Sequence, residues 1–398
     1  MKKLAIIGSV GIPSKYGGFE TLTEQLVNNL EDDYSIRVYC SKNHYSKEER
    51  VKSYKHAKLT YIPLPGNGIW SIPYDILSIL HALFFCDTLL ILGVSSGPIF
   101  PFLRLLTRKR IIVNIDGLEW KRDKWGKIAR LYLKFSEYMA VKFSHSDITD
   151  NEEIKQYTAL KYGTLSSLIE YGADHICYQP ISNKYSIKYP FLYYPYAIKV
   201  ARIVPENKIE MILEAFKSSH IPIVLIGNWK HSEYARKIKV QYSNQPKIKL
   251  IDAIYDQEEL DVLRSNAELY VHGHSAGGTN PSLVEAMFLE LPVFSFDCSF
   301  NRSTTENKAV YFKSIEELNA LLSTQTMICL KQNREAMKEI AERRYKWKII
   351  CSKYIEVFEQ RITKRQVYRD HNLSSKVRLH KDGRPHLINP IKYYQNHD

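Results

Sequence analysis

No stretch of this sequence offers the roughly 18–20 uninterrupted apolar residues that a membrane-spanning helix requires. The nearest approach, residues 69–106, is cut by Asp75, His81, Asp87 and the Ser95-Ser96-Gly97-Pro98 turn, so it reads as alternating buried helices and strands. The six cysteines stand far apart, with no Cys-x-x-Cys pair and no histidine at metal-finger spacing. That excludes a zinc ribbon or a dithiol redox motif and predicts reduced, mostly buried thiols in a cytosolic protein. The apolar run ahead of Gly8 is only four residues long, too short for a signal peptide, and predicts no export. Three glycines at dinucleotide spacing are also missing, and no acidic residue closes a second strand near position 40. A nicotinamide cofactor, and with it sugar-nucleotide epimerase chemistry, is therefore disfavoured.

Acidic side chains are in short supply: 56 Lys and Arg face 43 Asp and Glu, for a formal charge of +13. Such an excess points to an anionic partner (nucleic acid, an anionic membrane or a phosphorylated substrate) or to a merely solubilising surface. With 44% hydrophobic and 25% charged residues over 398 positions, the chain is globular and long enough for two domains.

Short apolar or β-branched runs alternate with amphipathic segments, which predicts α/β domains with doubly wound parallel sheets. Strands are expected at 4–7, 36–39, 59–62, 88–92, 110–115, 147–149 and 168–170, and helices at 19–30, 126–143 and 152–161. In 126–143, Ile128, Leu131, Tyr132, Phe135 and Met139 recur at helical spacing and predict the core face, with Lys127, Arg130, Lys134 and Glu137 toward water. Pro180, Asn183 and Pro190 interrupt the alternation, which then restarts with strands at 198–203, 223–226, 248–251, 269–272, 293–296 and 310–312. The intervening helices are expected at 208–216, 231–242, 257–264, 281–289 and 315–322, followed by one or two long helices over 333–358. The expected organisation is a first domain over 1–175, a linker over 176–192 and a second domain over 193–345. A C-terminal helix over 346–362 should pack back on the first domain, ahead of a poorly ordered basic tail over 363–398. Two such domains leave a cleft at the carboxyl ends of their strands, where these folds bind ligands.

Four segments carry candidate chemistry. Gly8 to Glu20 is glycine-rich and opens the first helix, suiting a phosphate or a polar substrate at Gly17 and Gly18. Asp116, Glu119, Trp120, Arg122 and Trp125 follow the strand at 110–115; the indoles can stack on a sugar, and a carboxylate can accept a hydroxyl proton. The alternative is a salt-bridged loop with tryptophan anchors. In the third segment, His274, Gly277, Gly278, Thr279, Asn280, Pro281, Ser282 and Glu285 combine a donor-rich loop with a helix N-cap and first-turn proline, an anion site with a carboxylate one turn inside. A His272-x-His274 metal site lacks a third ligand nearby. Fourth, Arg202, Asn207 and Lys208 sit at a strand–helix junction suited to a diphosphate.

This ordered set resembles the family 4 glycosyltransferases of the GT-B fold, and more narrowly a bacterial rhamnosyltransferase branch that builds cell-wall and capsular polysaccharides. It rests on Tyr16-Gly-Gly-Phe-Glu-Thr21, Ile115-Asp-Gly-Leu-Glu-Trp120, Ala201-Arg202 with Pro205-Glu-Asn207, and the segment from His272 to Met287, and it covers roughly residues 1–360. The resemblance implies two facing Rossmann-like domains and a metal-independent, retaining glycosyltransferase without cofactor. The donor would be a nucleotide sugar, dTDP-rhamnose in that branch, and the acceptor a polyprenyl-diphosphate-linked glycan. It assigns donor contacts to Gly17, Gly18, Arg202, Asn207, Lys208, His274, Gly278, Thr279, Asn280, Pro281, Ser282 and Glu285. Acceptor contacts would fall to Tyr16, Phe19, Glu20, Asp116, Trp120, Arg122 and Trp125, and catalytic roles to Asp116, Glu119, Arg202 and Lys208. Gly277 stands where many members carry a glutamate, a departure that fits a deoxy-sugar donor. Other donors on the same scaffold, UDP-hexose or GDP-mannose, remain open, as does a basic nucleic-acid-binding protein, against which no RNA- or DNA-binding signature is present. Eleven Lys and Arg against four acids between Arg104 and Lys142 predict peripheral docking on an anionic membrane, the inner face of a bacterial plasma membrane in the resembled family.

Overall fold

The computed structural model describes residues 1–14, 17–30, 33–115, 117–122, 125–324 and 327–360, together with two short strands beyond them. The chain divides into two compact units: Met1–Glu170 with Lys348–Asp398, and Tyr171–Trp347.

The first unit runs β1 (Lys2–Ile7), α1 (Gly18–Asn29), β2 (Tyr34–Ser41), β3 (Ser53–Tyr54), β4 (Ala57–Ile62), α2 (Ser71–Ala82), β5 (Thr88–Leu92) and α3 (Phe100–Leu106). It continues through β6 (Arg110–Ile115), α4 (Lys127–Phe143), β7 (Ser146–Thr149), α5 (Glu152–Tyr162) and β8 (Ser167–Leu168). The strands form one sheet in the order β3-β4-β2-β1-β5-β6-β7-β8, parallel except for the β3–β4 hairpin. Its central strands read as continuous apolar runs because helices cover both faces: Leu4, Ala5, Ile6 and Ile7 of β1 are all buried. On one face Ala5, Ile91 and Val113 pack with Phe100, Ala140 and Val141 from the helices.

The second unit runs α6 (Asn183–Lys188), β9 (Ala197–Val200), α7 (Ile209–Phe216), β10 (Ile223–Gly227), α8 (Glu233–Tyr242), β11 (Ile248–Asp252), α9 (Gln257–Ser265) and β12 (Leu269–His272). Then come α10 (Pro281–Phe288), β13 (Val293–Phe296), α11 (Ser299–Thr304), β14 (Val310–Phe312), α12 (Ile315–Thr324) and α13 (Met327–Arg344). All six strands are parallel, in the order β11-β10-β9-β12-β13-β14. Helix starts are fixed by side-chain caps: Ser232 accepts from Ala235 N, Asp256 from Glu259 N and Asn280 from Ser282 N. Helix α14 (Trp347–Glu359) belongs to the first unit from Lys348 onward. There Tyr354 OH meets Asn114 Nδ2 at 2.9 Å, Arg110 Nη2 donates to the Val357 carbonyl at 2.6 Å, and the Phe358 ring lies 5.5 Å from that of Tyr34. Of the basic tail, only β15 (Val377–Leu379), paired antiparallel with β16 (Pro385–Leu387), is described; the rest of residues 361–398 lies outside the described residues.

Three expectations are corrected. The stretch 176–192 is not a bare linker: it carries α6, whose Tyr185 is buried, and Lys188 Nζ and Tyr189 OH both reach Glu259 Oε1, at 2.6 and 2.5 Å. Only three of the six thiols, Cys40, Cys86 and Cys351, are buried; Cys177 and Cys329 are exposed. The third concerns α4, whose buried face is Leu133, Ser136, Glu137, Ala140 and Val141, while Ile128, Leu131 and Phe135 point to solvent. The inversion has two causes. The chain after β5 lies so close to α4 that a Cβ on Gly97 would be 2.0 Å from the Ser136 carbonyl oxygen, and only small residues fit there. Meanwhile Glu137 is repaid for burial by three donors, Trp120 Nε1 at 3.1 Å, Tyr157 OH at 2.7 Å and Tyr162 OH at 2.5 Å, with Lys161 Nζ 3.6 Å away.

Candidate functional site

In a doubly wound sheet a ligand crevice opens at the carboxyl ends of adjacent strands whose connections depart in opposite directions. In the second unit these are β9 and β12. The loops that follow them are stitched together. Ser275 N and Ser275 Oγ both donate to the Glu206 carbonyl at 2.9 Å. The buried Asn207 donates from Nδ2 to the Arg202 carbonyl at 2.6 Å, and its Oδ1 lies 2.8 Å from His274 Nδ1. Asn301 of α11 secures the His274 carbonyl at 2.8 Å. Asn207 and His274 therefore hold the loops in register, while Arg202 is left exposed at the end of β9. Lys208 takes a left-handed backbone (φ 51°) just before α7, with Nζ 5.1 Å from the Phe296 ring centre.

The N-terminus of α10 opens on the same crevice. Asn280 Oδ1 accepts from Ser282 N at 3.0 Å and from Ser282 Oγ at 2.7 Å, and Ser282 Oγ accepts from Tyr270 OH at 2.8 Å. This fixes Pro281 at the first helical position, with Gly278 and Thr279 in the loop ahead of it. Such a helix start, with its dipole and its preceding backbone N–H groups, favours an anion.

One turn further, Glu285 is clamped. Arg264 Nη2 lies 2.5 Å from its Oε2 and His175 Nε2 lies 3.4 Å from its Oε1. Trp347 Nε1 donates to His175 Nδ1 at 3.0 Å, so the other ring nitrogen carries the proton and faces the carboxylate. Burial alone would raise the Glu285 pKa, but Arg264 and His175 outweigh it and hold the carboxylate below its ordinary range. Beneath the loops, Lys199 of β9 is buried, with the Val271 carbonyl 3.5 Å from its Nζ. Burial pushes its pKa down to about 7. His272 beside it is buried; among the described residues neither ring nitrogen has a partner in hydrogen-bond geometry, and burial together with Lys199 outweighs the neighbouring Asn301 amide and holds it well below its ordinary value.

In the first unit the corresponding strands are β1 and β5. The loop after β1 is pinned by Val10 N donating to Glu20 Oε1 at 2.8 Å, by Tyr74 OH donating to the Ser9 carbonyl at 2.9 Å and by Ser14 N donating to Glu24 Oε2 at 2.9 Å. Gly17 precedes the first turn of α1, which begins at Gly18, and Phe19 lies against Gly93 at the end of β5. Asp75 of α2 is buried at the same end, accepting from the Ser95 hydroxyl, and burial pushes its carboxyl up to about 7.

The loop after β6 sits one strand further along the sheet. Glu119 is bridged internally, to Arg122 Nε at 2.9 Å and Trp125 Nε1 at 3.1 Å. The Trp120 ring has Lys134 Nζ 4.4 Å from its centre and Lys161 Nζ at 5.4 Å. Tyr16 and Asp116 lie outside the described residues. The second unit thus gathers Arg202, Asn207, Lys208, His274, Gly278, Thr279, Asn280, Pro281, Ser282 and Glu285 on two adjoining loops and one helix start. The first unit places Gly17, Gly18, Phe19 and Glu20 at its own crevice, with Glu119, Trp120, Arg122 and Trp125 apart from them. Sequence reasoning missed His175, Arg264, Lys199 and Asp75. A charge inside an apolar run was the available signal for Lys199 and Asp75; nothing local marked His175 or Arg264. Among the described residues, no group of three His, Cys, Asp or Glu is arranged to hold a metal ion.

Solved structures share this two-sheet architecture. Sucrose-phosphate synthase from Thermosynechococcus elongatus superposes with a TM-score of 0.74 at 15% identity, covering 93% of this chain and 100% of that one. The trehalose-6-phosphate synthase OtsA gives 0.68 at 10% identity, over 90% and 99%. Anabaena Alr3699/HepE in complex with UDP-glucose gives 0.67 at 12% identity, again over 90% and 99%. The fold is therefore that of two Rossmann-like parallel-sheet domains, as in these GT-B proteins. Residues 188–347 match the family described as "Glycosyl transferases group 1", and residues 1–174 match a "Domain of unknown function (DUF1972)". The match to the group 1 glycosyltransferases therefore falls within the second unit. No curated protein matches the chain.

Proposed function

We propose that the chain transfers a sugar from a nucleotide donor held by the second unit to an acceptor bound by the first. The observation that carries this reading is the arrangement at the β9–β12 crevice: two loops locked together through Glu206–Ser275 and Asn207–His274, beside the capped start of α10, with Arg202 and Lys208 alongside. Two cations and a helix N-terminus neutralise a diphosphate leaving group without a metal. Glu285 takes the nucleoside ribose: each of its oxygens has a second lone-pair direction beyond those used by Arg264 and His175. Gly17 and Gly18 are further proposed contacts to the diphosphate. Tyr16, Phe19, Glu20, Trp120, Arg122 and Trp125 serve the acceptor, and Asp116 and Glu119 are the acceptor-side carboxylates.

The finer reading is L-rhamnose from dTDP-β-L-rhamnose, passed with retention to a lipid-diphosphate-linked glycan in cell-wall or capsular polysaccharide synthesis at the inner face of a bacterial plasma membrane. Gly277 supports a deoxy-sugar. It sits at φ +125°, and a Cβ there would lie 2.9 Å from His274 Nε2, so the glutamate that reads sugar hydroxyls in the resembled family has no relaxed conformation at this position.

A panel of dTDP-rhamnose, UDP-glucose and GDP-mannose tests both levels, with thermal shift for binding and chromatography for nucleotide release, each with and without EDTA. dTDP-rhamnose should raise the melting temperature most, since a ligand that binds only the folded state stabilises it. A larger shift with UDP-glucose or GDP-mannose overturns the rhamnose assignment alone. No shift with any of the three overturns the transferase reading, and loss of turnover in EDTA overturns the metal-free mechanism.

A further inference from the structure

Helix α4 turns apolar side chains outward. Ile128, Leu131 and Phe135 are 87%, 71% and 50% exposed, and their i, i+3, i+7 spacing sets them along one side of the helix. Helix α3 packs against α4 and contributes Phe102, Leu105 and Leu106 at 61%, 82% and 75% exposure. Single exposed apolar residues are ordinary, but six on two adjoining helices make a surface that expects a partner. The same helices carry Arg104, Lys127, Arg130, Lys134 and Lys142, and their one acid, Glu137, is buried.

Charge selects the partner. A second copy docking through this patch about a two-fold axis would set one cluster of cations against an identical one. An anionic leaflet meets the cations with phosphates and the apolar side chains with acyl chains. We propose that the α3–α4 face of the first unit docks on an anionic phospholipid surface. Phe102, Leu105, Leu106, Ile128, Leu131 and Phe135 enter the boundary between headgroups and acyl chains, and the long basic side chains reach up to the phosphates. Among the described residues no helix is long and apolar enough to cross a membrane; the attachment proposed is to one leaflet. The proposal rests on the transferase reading for the lipid nature of the acceptor, and not for the binding itself, which needs neither donor nor acceptor.

Flotation of the full chain with phosphatidylcholine vesicles, with and without phosphatidylglycerol, tests it. Binding should be about tenfold tighter or more with phosphatidylglycerol and should weaken as salt is raised. Leu131→Glu and Leu105→Glu should each lower binding by about tenfold or more, by withdrawing an apolar anchor and adding a charge of the leaflet's own sign. Because both sites are exposed, these variants should keep the wild-type melting temperature and nucleotide-induced shift. Equal binding to the two vesicle types, or binding unchanged in both variants, overturns the proposal. So does a dimer in sedimentation velocity that Leu131→Glu dissociates, which would give the surface to a second copy. Vesicle binding without sugar transfer would leave this proposal standing and remove the transferase reading alone.

Discussion

Replacing Lys199 by methionine should stabilise the second unit, and the gain should depend on pH in a defined window. Lys199 is buried within the apolar run of β9, with the Val271 carbonyl 3.5 Å from its Nζ. Its pKa falls from 10.5 to about 7 through burial. At about 1.4 kcal/mol per pH unit, that shift corresponds to a native-state penalty of about 5 kcal/mol. Between pH 7 and 10.5 the unfolded chain holds a proton on this lysine that the folded chain has released. Unfolding then takes up protons, so wild-type stability rises with pH across that window, by up to about 1.4 kcal/mol per unit, and the full penalty applies below it. His272 is also held neutral by burial and by Lys199, but its window lies below its ordinary value of 6.5. Urea melts at pH 7.5, 8.25 and 9 therefore isolate the lysine. Methionine is close in length and carries no charge, so Lys199→Met should raise the midpoint most at pH 7.5 and flatten the pH slope. For a unit of this size each kcal/mol is worth about 2–4 °C, so a shift on the order of 10 °C is expected at neutral pH. Equal or lower stability in the variant, with the wild-type slope retained, would show that Lys199 keeps its charge cheaply and would refute the reasoning.

Glu285→Ala should leave Arg264 buried without its carboxylate, costing about 3–5 kcal/mol in urea melts. In whatever fraction remains folded it should also weaken binding of free dTDP; full dTDP affinity would take Glu285 out of the donor site. Asp75→Asn tests the buried carboxyl in the first unit, whose pKa is raised by burial from 3.8 to about 7. Between those values the folded state binds the extra proton, so wild-type stability falls as pH rises. The asparagine variant, still able to accept from Ser95, should be more stable than wild type at pH 8 and little changed at pH 4. Arg202→Ala should cost about 1.5–3 kcal/mol of nucleotide diphosphate binding by calorimetry, with the melting temperature unchanged because the side chain is exposed.

Much of the fold was legible because the central strands announce themselves. Thr88–Leu92, Arg110–Ile115, Leu269–His272 and Val293–Phe296 fall where short apolar or β-branched runs put them. The chemistry at Asn280 and Pro281 was equally plain, since an N-cap and a first-turn proline act on their immediate neighbours. What stayed hidden depends on partners distant in sequence. The face of α4 could not be read from its own periodicity, because its orientation is decided by donors at Trp120, Tyr157 and Tyr162 and by the backbone at Gly97. Glu285 was marked by its helix, but the residues that hold it, His175 and Arg264, come from other elements. Strand order was also invisible, and with it the fact that the loops after β9 and β12 are neighbours.

The route of the chain through α14 bears on how the protein is made. Residues 171–347 of the second unit are contiguous, whereas the first unit takes its last helix from residues 348–359. Until that helix is synthesised, Asn114 lacks the Tyr354 hydroxyl, Arg110 lacks the Val357 carbonyl and Tyr34 lacks the Phe358 ring. Domains fold as units while the chain emerges from the ribosome, usually the N-terminal one first. Here the later-encoded unit has all its parts while the earlier one is still waiting for a helix. A chain ended after residue 347 and released from the ribosome would therefore carry a complete second unit beside a first unit whose sheet still exposes the ground that α14 covers.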